Sequence, residues 1–219
     1  MTDVVNYAKS LGFTPIEECE DYKEIKRMEM EANEFIQLLH NNNDGYISFG
    51  IMNHSKWENI YSTPKASKKV ITNIIDNPNN SIYVSMNGFF TKKREESCLR
   101  HINALWVDLD YYKITEYKNK SFEEMLEILK DSDAFKNLPP SLIVNSGNGM
   151  YLVWLINSLP KQVKPLWDAT MYELNKRFLK YGADFKAKDV SRVLRIPGSI
   201  NQKTKNKCNI YKVHNQTTL

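Results

Sequence analysis

The chain is built from short hydrophobic segments whose period switches repeatedly between that of a β-strand and that of an α-helix. Runs that are rich in β-branched and aromatic residues, or that alternate between apolar and polar residues, predict strands at 46–51, 82–86, 102–107, 142–145, 151–156 and 208–213. Helical periods and start signals predict helices at about 63–76, 121–130 and 163–180. Strands and helices mixed in this way predict an α+β domain.

The region before the first strand has a different character. Residues 1–43 are acidic and helical in pattern, and Asn41–Gly45 is a strong turn signal. We therefore expect a helical N-terminal appendage at 1–43, followed by one larger domain at 44–219 with no obvious linker inside it.

Composition limits the class of protein. With 219 residues, 42% hydrophobic and 26% charged, the chain can bury a core without disulfides. Its three cysteines, Cys19, Cys98 and Cys208, are far apart and odd in number, which indicates a reducing cytosol. No apolar run approaches the ~18 residues that a membrane span needs, and the first residues lack the order of a signal peptide. We expect a cytoplasmic protein without a membrane partner.

Positive charge is concentrated toward the C-terminus. The net charge is only +4, but residues 176–212 contain eleven Lys and Arg against two Asp. A basic stretch of this kind suits a polyanion such as nucleic acid or a nucleoside triphosphate. On charge alone, a solvated basic face explains it equally well.

Two carboxylates stand at the end of the predicted strand 102–107. Asp108 and Asp110 are two residues apart, so their side chains project from the same face of an extended segment. Their mutual repulsion favours a shared cation, and hard oxygen ligands suit Mg²⁺ or Mn²⁺. The alternative is an ordinary solvent-exposed strand end, where Asp is common.

A glycine-rich turn separates the predicted strands 142–145 and 151–156. Gly147 and Gly149 allow backbone N–H groups to approach an anion closely, and Ser146 adds a hydroxyl. Tyr151 follows at the start of the next strand, where its hydroxyl could reach the same anion. The alternative is a plain tight hairpin.

A third segment, 184–203, combines candidate carboxylates with basic side chains. Asp184 or Asp189 is followed by Arg192, Arg195 and Lys203. Arginine grips phosphate oxygens with two N–H groups, whereas lysine offers a point charge. A solvated amphipathic turn is the alternative.

Further basic residues are candidates for contacts with DNA. Lys92, Lys93 and Arg94 follow Phe89-Phe90, and aromatic beside basic residues suit a single strand. Lys205 and Lys207 extend the basic C-terminal stretch.

In order and spacing, the three segments resemble the motifs of the archaeo-eukaryotic primase superfamily, in particular the primase-polymerase domains of plasmid and phage replication proteins. Leu-Trp-Val-Asp108-Leu-Asp110 resembles the first motif, and Ser146-Gly-Asn-Gly-Met-Tyr151 resembles the second, in which His usually stands where Tyr151 is. The segment from Asp189 to Lys203, with Arg195-Ile-Pro-Gly and Asn201-Gln-Lys203, resembles the third. The resemblance covers about 82–213.

The resemblance implies an RRM-like catalytic subdomain packed with a second small α/β unit around a central cleft. It implies metal binding by Asp108, Asp110 and a third Asp, for which we favour Asp189 over Asp184 because Asp189 directly precedes the arginines. It further implies that the incoming nucleotide or the template is bound by these residues: Ser146, Gly147, Gly149, Tyr151, Arg192, Arg195 and Lys203.

The implied function is that of a DNA-templated nucleotidyltransferase, a primase-polymerase that makes or extends primers with two Mg²⁺ or Mn²⁺ ions. Its partners would be single-stranded DNA, nucleoside triphosphates and a separate helicase or additional replication domain, because no helicase-type phosphate loop occurs in the sequence. Two alternatives stay open, namely a metal-dependent replication-initiator nuclease and a non-catalytic single-stranded DNA-binding module of the same fold.

Overall fold

Two antiparallel β-sheets and the helices that cover them make up the computed structural model, which describes residues 20–53, 56–77 and 79–212. The strands are β1 (Ile47–Asn53), β2 (Lys56–Ser62), β3 (Asn80–Ser85), β4 (Gly88–Phe89), β5 (Leu99–Leu109), β6 (Leu142–Asn145), β7 (Met150–Pro160), β8 (Val193–Arg195) and β9 (Asn209–Lys212). The α-helices are α1 (Glu20–His40), α2 (Ser67–Ile74), α3 (Phe122–Asp131), α4 (Asp133–Asn137) and α5 (Lys164–Arg177). The expected α+β class is confirmed.

Each sheet joins strands that are distant in sequence. The four-stranded sheet has the order β2-β1-β3-β8, and the five-stranded sheet has the order β4-β5-β7-β6-β9. Within the second sheet, β5, α3, β6, β7 and α5 follow one another along the chain, with β7 paired between β5 and β6. The last described strand, β9, completes the far edge by pairing with β6.

The five-stranded sheet is covered on both faces. Along β5, Trp106 belongs to the core shared with α1 and the four-stranded sheet, whereas Val107 belongs to the core that includes α3. Along β7, Val153 and Trp154 divide in the same way. Neighbouring residues of a strand point to opposite faces, so a strand buried on both faces reads as a continuous apolar run. The sequence shows this pattern at 102–107, interrupted only by Asn103.

Helix α1 is packed into the main core. Ala32, Phe35 and Ile36 are at most 1% exposed and lie in the same hydrophobic cluster as the four-stranded sheet. The domain boundary expected after residue 43 stays a prediction, and residues 1–19 of the expected appendage lie outside the described residues. No helix that the structure describes is long and apolar enough to span a bilayer.

The last residue of α1 joins both sheets. The His40 ring donates from Nε2 to the Ser85 carbonyl oxygen of β3 at 2.9 Å, and its Nδ1 accepts from the Asn103 side chain of β5 at 2.9 Å. Burial lowers the pKa of His40 to about 4, so the ring is neutral at pH 7. His40 is therefore a neutral polar link between α1 and the two sheets.

Candidate functional site

The end of β5 brings three aspartates together. Asp108 lies one residue before the end of β5, Asp110 directly follows the strand, and the segment 182–184 runs alongside them. The Asp184 N–H donates to the Asp108 carbonyl oxygen at 2.8 Å, and the Asp110 N–H donates to the Gly182 carbonyl oxygen at 2.9 Å. This pairing extends the sheet locally and places Asp184 beside Asp108.

The three carboxylates repel one another. The pKa of Asp108 is raised to about 8, first by burial and then by the charges of Asp110 and Asp184, while Arg192 and Lys113 act in the opposite direction. A carboxyl group that is disfavoured as an anion in this way gains from a nearby cation. The cluster is therefore electrostatically suited to a positive ligand.

Asp110 already has two partners on its own loop. The Tyr112 hydroxyl donates to Asp110 at 2.8 Å, and the Lys113 ammonium forms an ion pair with it. Burial and the Asp110 contact raise the pKa of Tyr112 to about 12. In the part of the chain that the structure describes, no group of three or more His, Cys, Asp or Glu side chains is arranged to hold a metal ion.

Asp189 lies in a different setting from Asp184. Its exposed carboxylate accepts from Arg192 at 2.6 Å and from the Ser191 hydroxyl at 2.8 Å. Asp184 accepts from the Lys186 N–H at 2.9 Å, which is the local turn bond expected for an Asp there. The choice of Asp189 as third metal ligand stays a prediction, but these contacts favour Asp184.

The turn between β6 and β7 packs against the carboxylates. A Cβ added at Gly149 would lie 2.5 Å from the Leu109 carbonyl oxygen, so only glycine permits this approach. The N–H groups of Gly147 and Gly149 donate within the turn, to the Asn145 side chain at 2.8 Å and to the Ser146 hydroxyl at 3.1 Å. An anion at this turn would have to compete with those bonds.

A loop from the C-terminal region holds the same turn. The Asn201 side chain donates to the Ser146 carbonyl oxygen at 3.0 Å. Thr204 and Asn206 both donate to the Gly147 carbonyl oxygen, at 2.7 and 2.9 Å. Gly147 itself has a φ of +82°, a conformation that favours glycine. The loop and the turn therefore form one locked unit.

The lysines of this loop differ in their surroundings. Lys203 is exposed beside the turn. Lys205 donates to the Gln202 side chain at 2.7 Å, and Lys207 pairs with Glu24 of α1 at 2.6 Å. Lys207 thus links the loop to α1, and its DNA contact stays a prediction.

Tyr151 is packed in the core beside Asp108. Its side chain is 7% exposed, and its backbone pairs with that of Asp108 across β5 and β7. Burial first and then the Asp108 charge raise its pKa, whereas a hydrogen bond from the Arg195 backbone lowers it.

Three arginines lie near a cavity on the four-stranded sheet. The cavity has a volume of about 460 Å³ and is lined by Trp57, Tyr83, Arg94, Asp189, Arg192 and Val193. Arg94 donates to the Ser191 carbonyl oxygen at 2.7 Å, Arg195 donates to the Tyr83 hydroxyl at 3.1 Å, and Arg192 donates to the Lys186 carbonyl oxygen. Arg192 lies between this cavity and the carboxylates, because it also lowers the pKa of Asp108.

The basic loop after β4 divides into exposed and inward-facing residues. Lys92 and Lys93 are exposed, whereas Arg94 reaches inward to the cavity. Phe89 is fully buried, and Phe90 is half exposed with the Arg100 guanidinium 4.8 Å from its ring centre. In this loop, the contact between an aromatic and a basic side chain is therefore the one between Phe90 and Arg100.

Sequence reasoning missed several residues of these two regions. Tyr83, Tyr112 and Lys113 were not singled out, and they carry no motif. A usable signal existed only for Lys113, which lies three residues beyond Asp110 in a short helical turn. Tyr83 lies on a short strand, and nothing in its local sequence indicates Arg195 as its partner.

Comparison with known proteins places the chain among replication proteins. A family model described as the RepB DNA-primase N-terminal domain matches residues 79–216. A replication protein of Clostridium perfringens is 32% identical over 187 residues, which are 84% of this chain and 43% of that protein. The chain thus spans less than half the length of the curated relative.

Solved structures share the fold. The AEP domain of the primase-polymerase of cyanophage S-2L has a TM-score of 0.57 at 15% identity, and the match covers 84% of this chain and 89% of that one. The catalytic domain of primase RepB', solved in complex with initiator DNA, has a TM-score of 0.54 at 13% identity, covering 86% of this chain and 88% of its own. At these identities the likeness establishes the fold.

Proposed function

The chain belongs to the family of RepB DNA-primase N-terminal domains, and on that basis we propose that it joins nucleotides on a single-stranded DNA template to make or extend primers. The observation that carries the proposal is the cluster of Asp108, Asp110 and Asp184 at the end of β5, where burial, and then repulsion by the two neighbouring carboxylates, raise the pKa of Asp108 to about 8. Nucleotidyl transfer requires such a concentration of negative charge to hold cations at the reacting phosphate.

Mg²⁺ or Mn²⁺ matches these side chains in donor type, but the side chains would have to rearrange to hold it, because the described residues include no group of three already arranged to bind a metal ion. All three side chains supply hard oxygen ligands, and the raised pKa of Asp108 reflects a cluster that favours a cation. We propose that Asp108, Asp110 and Asp184 hold the metal, and that Asp110 gives up its contacts with Tyr112 and Lys113 to do so. When bound, divalent ions stabilise the charge on the attacking and leaving oxygens.

The residues around the carboxylates supply positioning and positive charge. Arg192 is the arginine whose charge acts on Asp108, and Lys203 is exposed beside the Ser146–Gly149 turn, so we propose that both contact the triphosphate. Tyr151 is only 7% exposed, and we propose that it positions Asp108 and Arg195. Unwinding of duplex DNA would come from a separate helicase or a further domain.

A primer-synthesis assay tests the proposal. The purified chain is incubated with a labelled single-stranded template, nucleoside triphosphates and Mn²⁺, and the products are resolved by size. We expect extended products, and Asp108→Asn should reduce incorporation by about 10³-fold or more, because several kcal/mol of charge stabilisation depend on the metal. The circular dichroism spectrum of this variant should match that of the parent.

The same assay distinguishes the alternatives. Cleavage of the template without synthesis would indicate a nuclease, and binding without either reaction would indicate a non-catalytic module. Full incorporation by Asp108→Asn in Mg²⁺ would show that the carboxylates do not hold the catalytic metal.

A further inference from the structure

We propose that the cavity beside Trp57 and Tyr83 is the docking site for one unpaired nucleotide of the single-stranded DNA template, with its base on Trp57 and its phosphate at Arg94. This inference rests on the proposed function, because it assigns the template of that reaction to a surface. The cavity lies on the four-stranded sheet, whereas Asp108 and Asp110 end a strand of the five-stranded sheet.

The floor of the cavity is an aromatic platform. A Cβ added at Gly50 would lie 2.2 Å from the Trp57 ring, so the indole lies directly over the backbone of β1. The Trp57 and Tyr83 rings are 5.4 Å apart between centroids, at an angle of 41°. Flat aromatic surfaces on a sheet bind bases of any sequence, because every base has a π face.

Guanidinium groups extend this platform at both ends. Arg94 lies 5.9 Å from the centre of the Trp57 ring, and Arg195 lies 4.8 Å from the centre of the Tyr83 ring. The two arginines therefore flank the adjacent pair of aromatic rings. Stacking on rings combined with positive charge is the arrangement that binds single strands.

The arginines have unused hydrogen-bonding capacity. Arg195 is only 6% exposed, yet its Nε and Nη1 have no hydrogen-bond partner within residues 20–53, 56–77 and 79–212. The buried Nε atoms of Arg94 and Arg192 likewise have none in this part of the chain. Arg94 and Arg192 line the cavity, whereas Arg195 contacts it through Tyr83. Buried polar groups are almost always paired, so the open N–H groups of the two lining arginines indicate a ligand that accepts hydrogen bonds. A phosphate oxygen is such an acceptor.

Two observations favour a template strand over a free nucleotide. Arg94 continues into exposed Lys92 and Lys93, so positive charge runs beyond the cavity in the way that successive phosphates of a strand require. The cavity volume of about 460 Å³ accommodates a single nucleotide, and the rest of the strand would follow the basic loop. A mononucleotide would make no use of Lys92 and Lys93.

Tryptophan fluorescence tests this placement directly. Of the four tryptophans in the sequence, Trp106, Trp154 and Trp167 are at most 2% exposed, which leaves Trp57 as the accessible one. We expect a short oligo(dT) to quench the emission of the metal-free protein and of Asp108→Asn alike. Trp57→Leu should abolish the quenching and weaken oligo(dT) binding about tenfold, measured by anisotropy of a labelled strand.

A conservative variant and a matched control separate stacking from loss of structure. Trp57→Phe keeps an aromatic ring and should bind oligo(dT) within about threefold of the parent. Tyr211→Leu removes another exposed aromatic, which stacks on Phe122 of α3, and should leave the affinity unchanged. Thermal unfolding of each variant checks that it is folded.

Three outcomes would overturn the inference. They are an absence of quenching by oligo(dT), unchanged affinity in folded Trp57→Leu, and quenching by a nucleoside triphosphate alone that oligo(dT) reverses by competition. In each case primer synthesis by the parent chain would still support the proposed function. Normal quenching without primer synthesis would instead count against the proposed function and leave the docking site in place.

Discussion

The carboxylate cluster at the end of β5 and the arginine cluster on the four-stranded sheet each bring together side chains of like charge. The two clusters differ in how the repulsion between these charges is relieved. At the carboxylates, burial and mutual repulsion raise the pKa of Asp108 to about 8, so this group can take up a proton when no cation is present. Arginine does not lose its proton in proteins, so Arg94, Arg192 and Arg195 remain charged. Arg94 donates to a carbonyl oxygen, Arg192 pairs with Asp189, and the Arg195 guanidinium lies over an aromatic ring. These contacts use only part of the hydrogen-bonding capacity of the arginines.

This difference separates an adaptable site from a permanent one. The carboxylates have exchangeable partners, namely a proton on Asp108 and the Lys113 ammonium on Asp110. The arginines are held by short contacts and still keep N–H groups open. We infer that the first region adjusts to whether its cation is bound, while the second is a preformed surface for anions.

The largest expected effect distinguishes the two aspartates that lie at the border of these regions. Asp184→Ala should reduce incorporation about as strongly as Asp108→Ala, by about 10³-fold, because Asp184 belongs to the carboxylate cluster. Asp189→Ala should cost about tenfold or less, because Asp189 pairs with Arg192. Single-turnover incorporation rates at saturating Mn²⁺ measure both, and the reverse ranking would restore Asp189 as third ligand.

The next effect concerns His40, the buried link between α1 and the two sheets on which these regions lie. His40 has a folded-state pKa of about 4, below the ordinary 6.5, so the folded protein resists protonation that the unfolded chain accepts. Its contribution is fully present above pH 6.5 and is lost as the pH falls from 6.5 toward 4, by about 3 kcal/mol in the free energy of unfolding.

Urea unfolding at pH 7 and pH 5 measures this loss. His40→Gln can keep hydrogen bonds to the Ser85 carbonyl and the Asn103 amide and does not titrate, so its stability should change less between the two pH values than that of the parent. Equal changes in both proteins would show that His40 is not the group responsible.

The smallest expected effect tests the arginine region alone. Arg94→Gln should make the log–log dependence of oligo(dT) affinity on salt shallower by about 0.7, the value for one phosphate contact on a single strand. Arg27→Gln, which removes an exposed arginine of α1 that pairs with Glu24, is the matched control and should leave the slope unchanged. An unaltered slope in Arg94→Gln would move the DNA footprint toward Lys205 and Lys207.

The sequence predicts those features that depend on neighbouring residues. The Ser121 capping box starts α3 as expected, with the Ser121 hydroxyl accepting from the Glu124 N–H at 3.1 Å. Strand β6 covers the predicted residues 142–145, and the glycine turn joins it to β7. Asp108 and Asp110 lie where the motif puts them. Each of these signals lies within a few residues of the feature that it predicts.

Features that depend on distant pairing were not predictable in this way. Strand β2 is only partly buried and carries exposed Lys56, Glu58 and Asn59, so it has no apolar alternation from which a strand could be inferred. No local pattern shows that the segment 182–184 extends the edge of β5, which is why spacing alone favoured Asp189. The Trp57–Tyr83 platform likewise exists only after β1 has paired with both of its neighbours.

The hydrogen bonds between the 201–206 loop and the Ser146–Gly149 turn determine when this part of the protein can fold during synthesis. Asn201 contacts a residue 55 positions earlier in the sequence, and β9 pairs with β6 over a similar separation. A ribosome therefore has to release the chain beyond about residue 206 before this turn can acquire its final hydrogen bonds. During synthesis the carboxylates emerge long before their surroundings are complete, so nascent chains pass through a stage that carries the acidic motif but not the finished site.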